Sequence, residues 1–339
     1  MSVLGLTLPL EGVSLAAHRP LLRRLVEAGY TDVWTGEVAG PDGLVPLALM
    51  RGWEPSITVS SGITSVFTRG PAVLAMSAAA LAEAAPGAVR FGIGAGSKVV
   101  VERWNSGAFE RPYQRVADTL AFLRSVLAGE RATPSTTFGG ESFVLARAPE
   151  VPPKLMVGVA GPRMQLLAAA RADTMMLNFL GAADLDTVRA HCAGVVRELP
   201  EPLETAVRVF VLPQLPGEDG ANTEVAAKRF LAGYLTVPTY AAFLGWLGRE
   251  SELDEVVERW TSGDRRGAVA AVPQSLASDV VVIGDPAQVS AGLARYARHG
   301  AGVVSVALVP GATGTPEEQV EFLVDVRAEW ERGQREMAR

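Results

Sequence analysis

The sequence predicts an α/β protein that folds as a (β/α)8 barrel, a TIM barrel, with a helical insertion before strand eight. Two observations indicate this fold. Short runs rich in β-branched residues alternate with longer helical patterns along almost the whole chain, and the number of these runs is eight. A doubly wound open sheet is the alternative, but eight evenly spaced strands are unusual in that fold.

The elements follow one another in a regular order. The predicted strands are residues 3–8, 32–36, 57–61, 89–94, 154–159, 174–178, 206–212 and 303–308. The predicted helices are residues 14–28, 43–50, 71–85, 113–127, 163–171, 185–198, 223–234, 252–261 and 316–333. Ser14 is expected to cap the first helix and Gly29 to end it. The turn-rich residues 130–150 predict a small hairpin under the barrel.

A long gap between the seventh and eighth strands predicts an insertion at about residues 215–290. Roughly ninety residues separate these two strands, whereas short connections are normal. The gap contains helical patterns and, at residues 279–283, a short extra strand. It is too poor in apolar residues for a core of its own, so we predict one domain over residues 1–339.

The composition excludes several classes of function. A net charge of −6 with scattered basic residues argues against nucleic-acid binding. Cys192 is the only cysteine, so no intramolecular disulfide can form and a reducing compartment is expected. No segment has the pattern of a signal peptide or of a membrane span. We therefore predict a cytoplasmic protein that binds a small-molecule substrate, with neither nucleic acid nor membrane as a partner.

The loops after the strands are where a barrel of this kind places its chemistry. The run from Gly92 to Ser97 follows a strand but lacks the full spacing of a dinucleotide fingerprint, and no helix is expected directly after it. Its glycines either let a flat ligand or a backbone approach closely, or belong to an ordinary tight loop. The two interpretations are equally compatible with this segment.

The turn Ala160–Gly161–Pro162–Arg163 is a candidate anion site. A strand ends, small residues follow, and a helix begins with proline in its first turn. The free amides and the positive end of the helix dipole favour an anion there. Arg163 offers a second contact for a phosphate. The alternative is an ordinary helix start, which is the more common case.

Few other residues at the strand ends carry chemistry. The histidines His18, His191 and His299 fall in predicted helices or at their ends, so we predict no metal site. Lys98 is the one lysine that follows a strand, which disfavours a Schiff base. We therefore expect a bound cofactor to supply the reactivity. Trp34, Trp53 and Phe67 line the substrate entrance in one interpretation and belong to the core in the other.

The chain resembles the luciferase-like monooxygenase superfamily, and within it the coenzyme F420 (deazaflavin)-dependent oxidoreductases. The resemblance depends on the order of motifs over about residues 3–180 rather than on any single motif. The matching segments are residues 27–37 (EAGYTDVWTGE), 62–71 (GITSVFTRGP), 91–97 (FGIGAGS), 123–130 (LRSVLAGE), 160–164 (AGPRM) and 172–173 (AD). The long insertion before strand eight is a further similarity.

The resemblance implies roles for individual residues. It places Glu37 near the deazaflavin ring as the candidate catalytic acid, and a non-proline cis peptide at Gly62–Ile63 as a bulge behind the ring. Asn178 falls where a substrate is contacted. The implied cofactor-binding residues are Glu37, Gly62, Ile63, Ser65, Ala95, Gly96, Ser97, Ala160, Gly161, Arg163 and Met164. A homodimer is also implied.

Two positions depart from relatives that abstract a proton. Val38 stands where many relatives place a histidine, and Ser97 where some sugar-phosphate dehydrogenases place a glutamate. The absence of this histidine and this glutamate favours a reductase over an alcohol dehydrogenase. Glu37 remains a candidate acid, with a structural ion pair to arginine as the alternative. The other functions considered are an FMN-dependent monooxygenase and a non-catalytic flavin-binding protein of the same fold.

Overall fold

The protein is described here by a computed structural model that covers residues 2–132, 135–139, 142–217 and 220–337. The strands are β1 (Val3–Thr7), β2 (Asp32–Thr35), β3 (Thr58–Ser61), β4 (Thr64–Ser65), β5 (Val89–Gly94), β6 (Lys154–Gly158), β7 (Thr174–Asn178), β8 (Glu204–Pro213), β9 (Val281–Gly284) and β10 (Val303–Leu308). The helices of the barrel are α1 (His18–Glu27), α2 (Val45–Trp53), α3 (Pro71–Ala84), α4 (Pro112–Leu127), α5 (Pro162–Arg171), α6 (Asp184–Cys192), α12 (Pro286–Arg298) and α13 (Pro316–Met337). The helices between β8 and β9 are α7 (Gly220–Leu235), α8 (Pro238–Leu244), α9 (Asp254–Thr261), α10 (Arg265–Ala271) and α11 (Gln274–Val280).

Eight parallel strands close into a barrel, as predicted. The ring runs β1, β2, β3, β5, β6, β7, β8 and β10, and β10 pairs with both β8 and β1. The two-residue β4 pairs with the end of β5. The predicted extra strand exists as β9, which pairs with the last residues of β8 outside the ring. The predicted seventh and eighth strands are therefore β8 and β10.

The interior of the barrel is filled in levels from the amino ends of the strands upward. At the lower level Arg90 donates to Asp32 (2.5 Å) and to Glu204 (2.8 Å). Above this ion cluster Trp34 is fully buried and belongs to one apolar cluster with Met156, Met176 and Ala206. Trp34 is thus a core residue, and the interpretation that places it at the substrate entrance is wrong.

Several local predictions differ from the structure. The helix predicted to reach residue 198 ends at Cys192, because the chain after Gly194 turns back and Arg197 donates to the Ala169 and Ala172 carbonyls. A π-helical turn, Val99–Trp104, follows the glycine run where no helix was expected.

The excursion at residues 130–150 does not lie under the barrel. It contains one antiparallel bridge, between Ala132 and Phe143, and the rings of Phe138 and Phe143 pack on Phe122 of α4. The excursion therefore covers an outer helix. Residues 133–134 and 140–141 lie outside the described residues.

The insertion has a larger apolar core than its composition predicts. Leu231, Leu235 and Leu276 are fully buried, but they pack in one cluster with Phe210 of β8 and Val309 beyond β10. The insertion is therefore built directly onto the barrel strands. No single helix in the described part of the chain is long and apolar enough to cross a membrane. One pair of helices, bent by 105° relative to each other, is together long and apolar enough.

Candidate active site

The residues singled out in the sequence lie on one rim of the barrel, at the carboxyl ends of the strands. Glu37 follows β2, Ser65 ends β4, Asn178 ends β7, and the turn at Gly161 follows β6. Parallel strands of a closed barrel end on the same face, so these positions surround one opening.

A bulge between β3 and β4 forms one wall of this opening. The Gly62–Ile63 peptide bond is cis, as the family resemblance implied. The Ile63 side chain lies over Gly94 and Gly158, and a Cβ atom at either glycine would come within 2.8 Å of it. The glycines at the ends of β5 and β6 therefore make room for the bulge.

The glycine run of β5 has a related explanation. A Cβ atom at Gly92 would lie 2.0 Å from the Ser61 carbonyl oxygen, so the neighbouring backbone excludes any side chain there. Gly96 has a φ of +70°, which glycine adopts without strain. The run therefore has both predicted features: Gly92 lets the neighbouring backbone approach closely, and Gly96 forms a tight left-handed turn.

Two hydroxyl groups hold the loop after β5. The Ser65 hydroxyl donates to the Ala95 carbonyl (3.1 Å) and accepts from the Phe67 amide (3.2 Å). The Ser97 hydroxyl accepts from the Val100 amide (3.3 Å) and so starts the π-helical turn. Ala95 and Gly96 stay accessible at the rim.

Glu37 is held in an ion pair. Its two carboxylate oxygens lie 2.6 Å from the two terminal nitrogens of Arg69, which also contacts Asp42. These hydrogen bonds raise the pKa of Arg69 and keep it a cation. This arrangement matches the structural alternative for Glu37, because a carboxylate engaged at both oxygens is poorly placed to donate a proton.

The turn after β6 keeps the features of an anion site. Gly161 is the N-cap of α5 in extended conformation, and no atom lies within 4 Å of a Cβ built on it. In the first turn Pro162 has no amide hydrogen and the Met164 amide donates to the Gly161 carbonyl (3.0 Å), so the Arg163 amide is the donor left for an anion. Arg163 is exposed, stacks at 4.5 Å on the ring of Tyr113, and has no carboxylate partner among the described residues. Met164, also implied as a cofactor contact, is partly buried beside it.

The sequence analysis missed an arginine in the middle of the opening. Arg208 of β8 donates through Nη2 to the Thr35 carbonyl (2.7 Å) and the Gly62 carbonyl (2.6 Å), and through Nε to the Thr7 hydroxyl (3.2 Å). Arg208 lies within β8 rather than at a strand end or in a loop, where the chemistry of a barrel is expected. A charged residue inside the apolar run AVRVFVL is the signal that points to it.

Burial shifts the pKa values around Arg208. It lowers the pKa of Arg208 to about 10 and raises the pKa values of Tyr234 and Tyr240, which lie near the guanidinium. Asn178, in register with Arg208 on the neighbouring strand, interacts through its side chain with the Tyr240 hydroxyl. Neutral phenols and one cation thus share this part of the opening.

An aromatic cluster, defined as Phe179, Phe210, Phe230, Tyr234 and Tyr240, stands beside these groups. Ring centroids of Phe179 lie 4.4 to 4.7 Å from those of Tyr234, Tyr240 and Phe210. Phe179 adopts a φ of +55°, which is rare for a bulky residue and turns the chain directly after Asn178. The cluster joins the barrel rim to helices α7 and α8 of the insertion.

Other parts of the described structure have fewer features of an active site. Within the residues described, no group of three or more His, Cys, Asp or Glu side chains could hold a metal ion. Burial lowers the pKa of His18, whose Nε2 accepts from the Leu10 amide (2.8 Å), so this histidine is a neutral core residue. A cavity of about 680 Å³ lined by Cys192, Thr205 and Gly300 lies toward the amino ends of the strands, away from the rim.

The rim therefore combines an apolar bulge, a cationic turn and few groups for proton transfer. Such a barrel suits an enzyme that depends on a bound cofactor. The model of the family described as luciferase-like monooxygenase matches residues 4–302, and the chain belongs to this family of oxidoreductases.

Several proteins are similar to this chain. A protein of Mycobacterium tuberculosis that carries the name of a coenzyme F420-dependent oxidoreductase is 25% identical over 331 residues, covering 90% of this chain and 93% of the relative. A 5,10-methylenetetrahydromethanopterin reductase of Methanolobus tindarius is 27% identical over 229 residues, covering 66% and 68%. The structure of an F420-dependent secondary alcohol dehydrogenase with an F420-acetone adduct superposes with a TM-score of 0.76 at 16% identity, covering 97% and 99%, which shows the shared fold.

Proposed function

We propose that this protein is an F420-dependent oxidoreductase that transfers a hydride between the deazaflavin and a small organic substrate. One observation carries the proposal: the Gly62–Ile63 bulge and the open cationic turn at Gly161–Arg163 lie on the same barrel rim. The names of the relatives above favour the same cofactor.

The residues present fit such a cofactor. The open space beside Gly161, the Arg163 amide and the Arg163 guanidinium, which has no carboxylate partner among the described residues, suit its phosphate. The Gly62–Ile63 bulge, with Ala95 and Gly96 on the neighbouring strand end, would back the flat ring. When bound, the deazaflavin supplies the hydride chemistry, and the chain contributes position, exclusion of water and charge.

The side chains at the rim fit a reductase better than an alcohol dehydrogenase. Val38 is 61% exposed and carries no titratable group, and the Ser97 hydroxyl is engaged by the Val100 amide. Glu37 is bound by Arg69 at both oxygens. With no free base at these positions, the proton would come from water or from the substrate.

Titration with cofactors tests the proposal directly. Purified protein is mixed with F420 and, separately, with FMN, and fluorescence quenching is followed. Binding of F420 at micromolar concentration without FMN binding is the expected result. Binding of FMN alone would replace the proposal with an FMN-dependent monooxygenase. F420 binding without turnover of any offered substrate would favour a non-catalytic binding protein.

Arg163 provides a second test of the same site. Arg163→Glu should weaken F420 binding about tenfold or more, because it replaces a cation at the phosphate turn with an anion. Arg266→Glu, at an exposed position on α10, is the matched control and should leave the affinity unchanged. Equal affinity in both variants would remove Arg163 from the site.

A homodimer is part of the proposal, supported by apolar side chains exposed on two neighbouring helices. Val45 and Leu49 of α2 and Val73 and Met76 of α3 are 38% to 54% exposed. An apolar face of this kind favours contact with a second copy. Sedimentation of Leu49→Arg beside the natural protein tests this, with a monomer expected for the variant only. The cytoplasmic location stays a prediction.

A further inference from the structure

Arg208 is a largely buried cation with no negatively charged partner in the described part of the chain. Among the described residues no carboxylate lies within ion-pair distance of it, and its three protein acceptors are the neutral oxygens of Thr7, Thr35 and Gly62. Nη1 has no protein acceptor in the same part of the chain. Burying an unpaired charge is costly, so a retained one points to a ligand that completes it.

The side chains around Arg208, called the Arg208 pocket below, are not fully closed off from solvent. Arg208 lies directly beneath the bulge, since it donates to the Gly62 carbonyl at 2.6 Å. Asn178 stands beside it in register on β7, and Tyr240 reaches both from α8 of the insertion. Arg208, Asn178 and Tyr240 all remain partly accessible, unlike the apolar neighbours below them.

The groups of this pocket select a particular chemistry. One guanidinium with an amide and a phenol nearby is suited to a single negative charge shared by two oxygens, as in a carboxylate. A doubly charged phosphate would leave one charge without a cation. The aromatic cluster packs beside these groups through Tyr234 and Tyr240 and favours a flat, conjugated body.

We propose that Arg208, Asn178 and Tyr240 bind the carboxylate of an aromatic or conjugated substrate. The inference rests on the proposed function, because the site is the substrate end of the same opening, between the bulge and the insertion. Arg208 supplies the charge and the insertion supplies Tyr240. The insertion thus defines which substrates enter.

Benzoate and its uncharged analogue benzamide are the probes. Each is titrated by calorimetry into the whole protein without cofactor, and F420 is titrated separately by fluorescence. Benzoate should bind and benzamide should bind at least about tenfold more weakly, as expected for loss of a charge-assisted hydrogen bond. Equal affinity of the two probes would overturn the proposal.

Variants assign the binding to the pocket. Arg208→Met should weaken benzoate about tenfold or more, and Tyr240→Phe about threefold. Arg23→Met, at an exposed position on α1, is the control and should leave the affinity unchanged. If Arg208→Met fails to fold, as circular dichroism would show, Tyr240→Phe decides, since it removes only one hydroxyl.

The two proposals fail in different ways. Loss of F420 binding in Arg208→Met with unchanged benzoate affinity would assign Arg208 to the cofactor and overturn the carboxylate site. Absence of F420 binding in the natural protein would overturn the proposed function alone. Unchanged benzoate affinity in Tyr240→Phe would remove the insertion from the site and overturn its role in selecting substrates.

Discussion

Gly92 shows how tightly single residues are constrained beside the bulge. A Cβ atom there would lie 2.0 Å from the Ser61 carbonyl oxygen, and the Ser61 hydroxyl accepts from the Gly92 amide at 2.8 Å. The obstacle is backbone and cannot rotate away. We expect Gly92→Ala to lower the free energy of unfolding by about 3 kcal/mol or more, measured by urea denaturation.

Gly52 is the matched control for that substitution. It lies exposed near the end of α2, and no atom lies within 4 Å of a Cβ built on it. Gly52→Ala should stabilise the protein by up to about 1 kcal/mol, because alanine loses less backbone entropy on folding. Similar effects of the two substitutions would show that Gly92 is not sterically constrained.

Arg208 predicts a pH dependence of carboxylate binding. Its pKa is lowered to about 10 by burial, below the ordinary arginine value of 12.5. Below about pH 10 Arg208 is charged in both the folded and the unfolded protein. The burial of this charge then lowers the free energy of unfolding by its full amount. That cost is relieved as pH rises above about 10, where the folded protein releases the proton and loses the cation that a carboxylate needs.

Benzoate affinity should therefore fall about fourfold between pH 8 and about pH 10.5, measured by calorimetry. Burial raises the pKa values of Tyr234 and Tyr240, so both phenols stay protonated to a higher pH than an exposed tyrosine does. Constant affinity over this range would mean that Arg208 keeps its proton or takes no part in binding.

The sequence locates the rim residues but not their partners. Gly62–Ile63, Ser65 and the Gly161 turn were found because motif order and strand ends are local properties. Glu37 and Arg69 are 32 positions apart in the sequence, so no local pattern predicts their ion pair. Arg208 does carry a local signal, a charge inside an apolar strand, but its acceptors on β1, β2 and the bulge after β3 have no local pattern.

At the scale of elements, α12 begins with a complete capping box. The Asp285 carboxylate accepts from the Gln288 amide (2.9 Å), and the Gln288 side chain accepts from the Asp285 amide (3.0 Å). Asp285→Ala should lower the free energy of unfolding by about 1 kcal/mol, seen as a lower melting temperature. The loss is expected because the Gln288 amide at the helix start loses its side-chain acceptor.

Ser14 is the control for this prediction. The sequence suggests it as a helix cap, yet its side chain makes no capping hydrogen bond and the first helical turn after it is a 3-10 helix. Ser14→Ala should change the melting temperature little, as for an ordinary surface substitution. A loss equal to that of Asp285→Ala would contradict the role assigned to the capping box.

Strands were predicted more faithfully than the segments between them. Buried parallel strands are short and rich in β-branched residues, so all eight barrel strands stand out in the sequence. The π-helical turn at Val99–Trp104 was missed because three successive valines disfavour a helix, and the capping Ser97 acts only in context. The end of α6 was predicted too late because the turn after Gly194 is held by contacts to α5.

For the whole molecule, the barrel and the insertion share one apolar boundary. The cluster that holds α7 and α11 includes Phe210, Leu212 and Ala307 of β8 and β10. The same strands form the barrel wall, and β9 extends β8 beyond the ring. Removing the insertion would expose these strand residues to water, which costs about 25 cal/mol for each Å² of apolar surface.

One cooperative unfolding transition is therefore expected for residues 1–339. Trp246 and Trp260 report on the insertion and Trp34 on the barrel interior. Urea curves followed by far-ultraviolet circular dichroism should coincide with fluorescence curves from variants that keep only Trp34 or only Trp260. An earlier transition of the Trp260 signal would mean that the insertion unfolds by itself, and the single-domain prediction would then be wrong. Coincident curves would show that the aromatic cluster and the barrel rim lose their structure together, as a binding pocket formed by both requires.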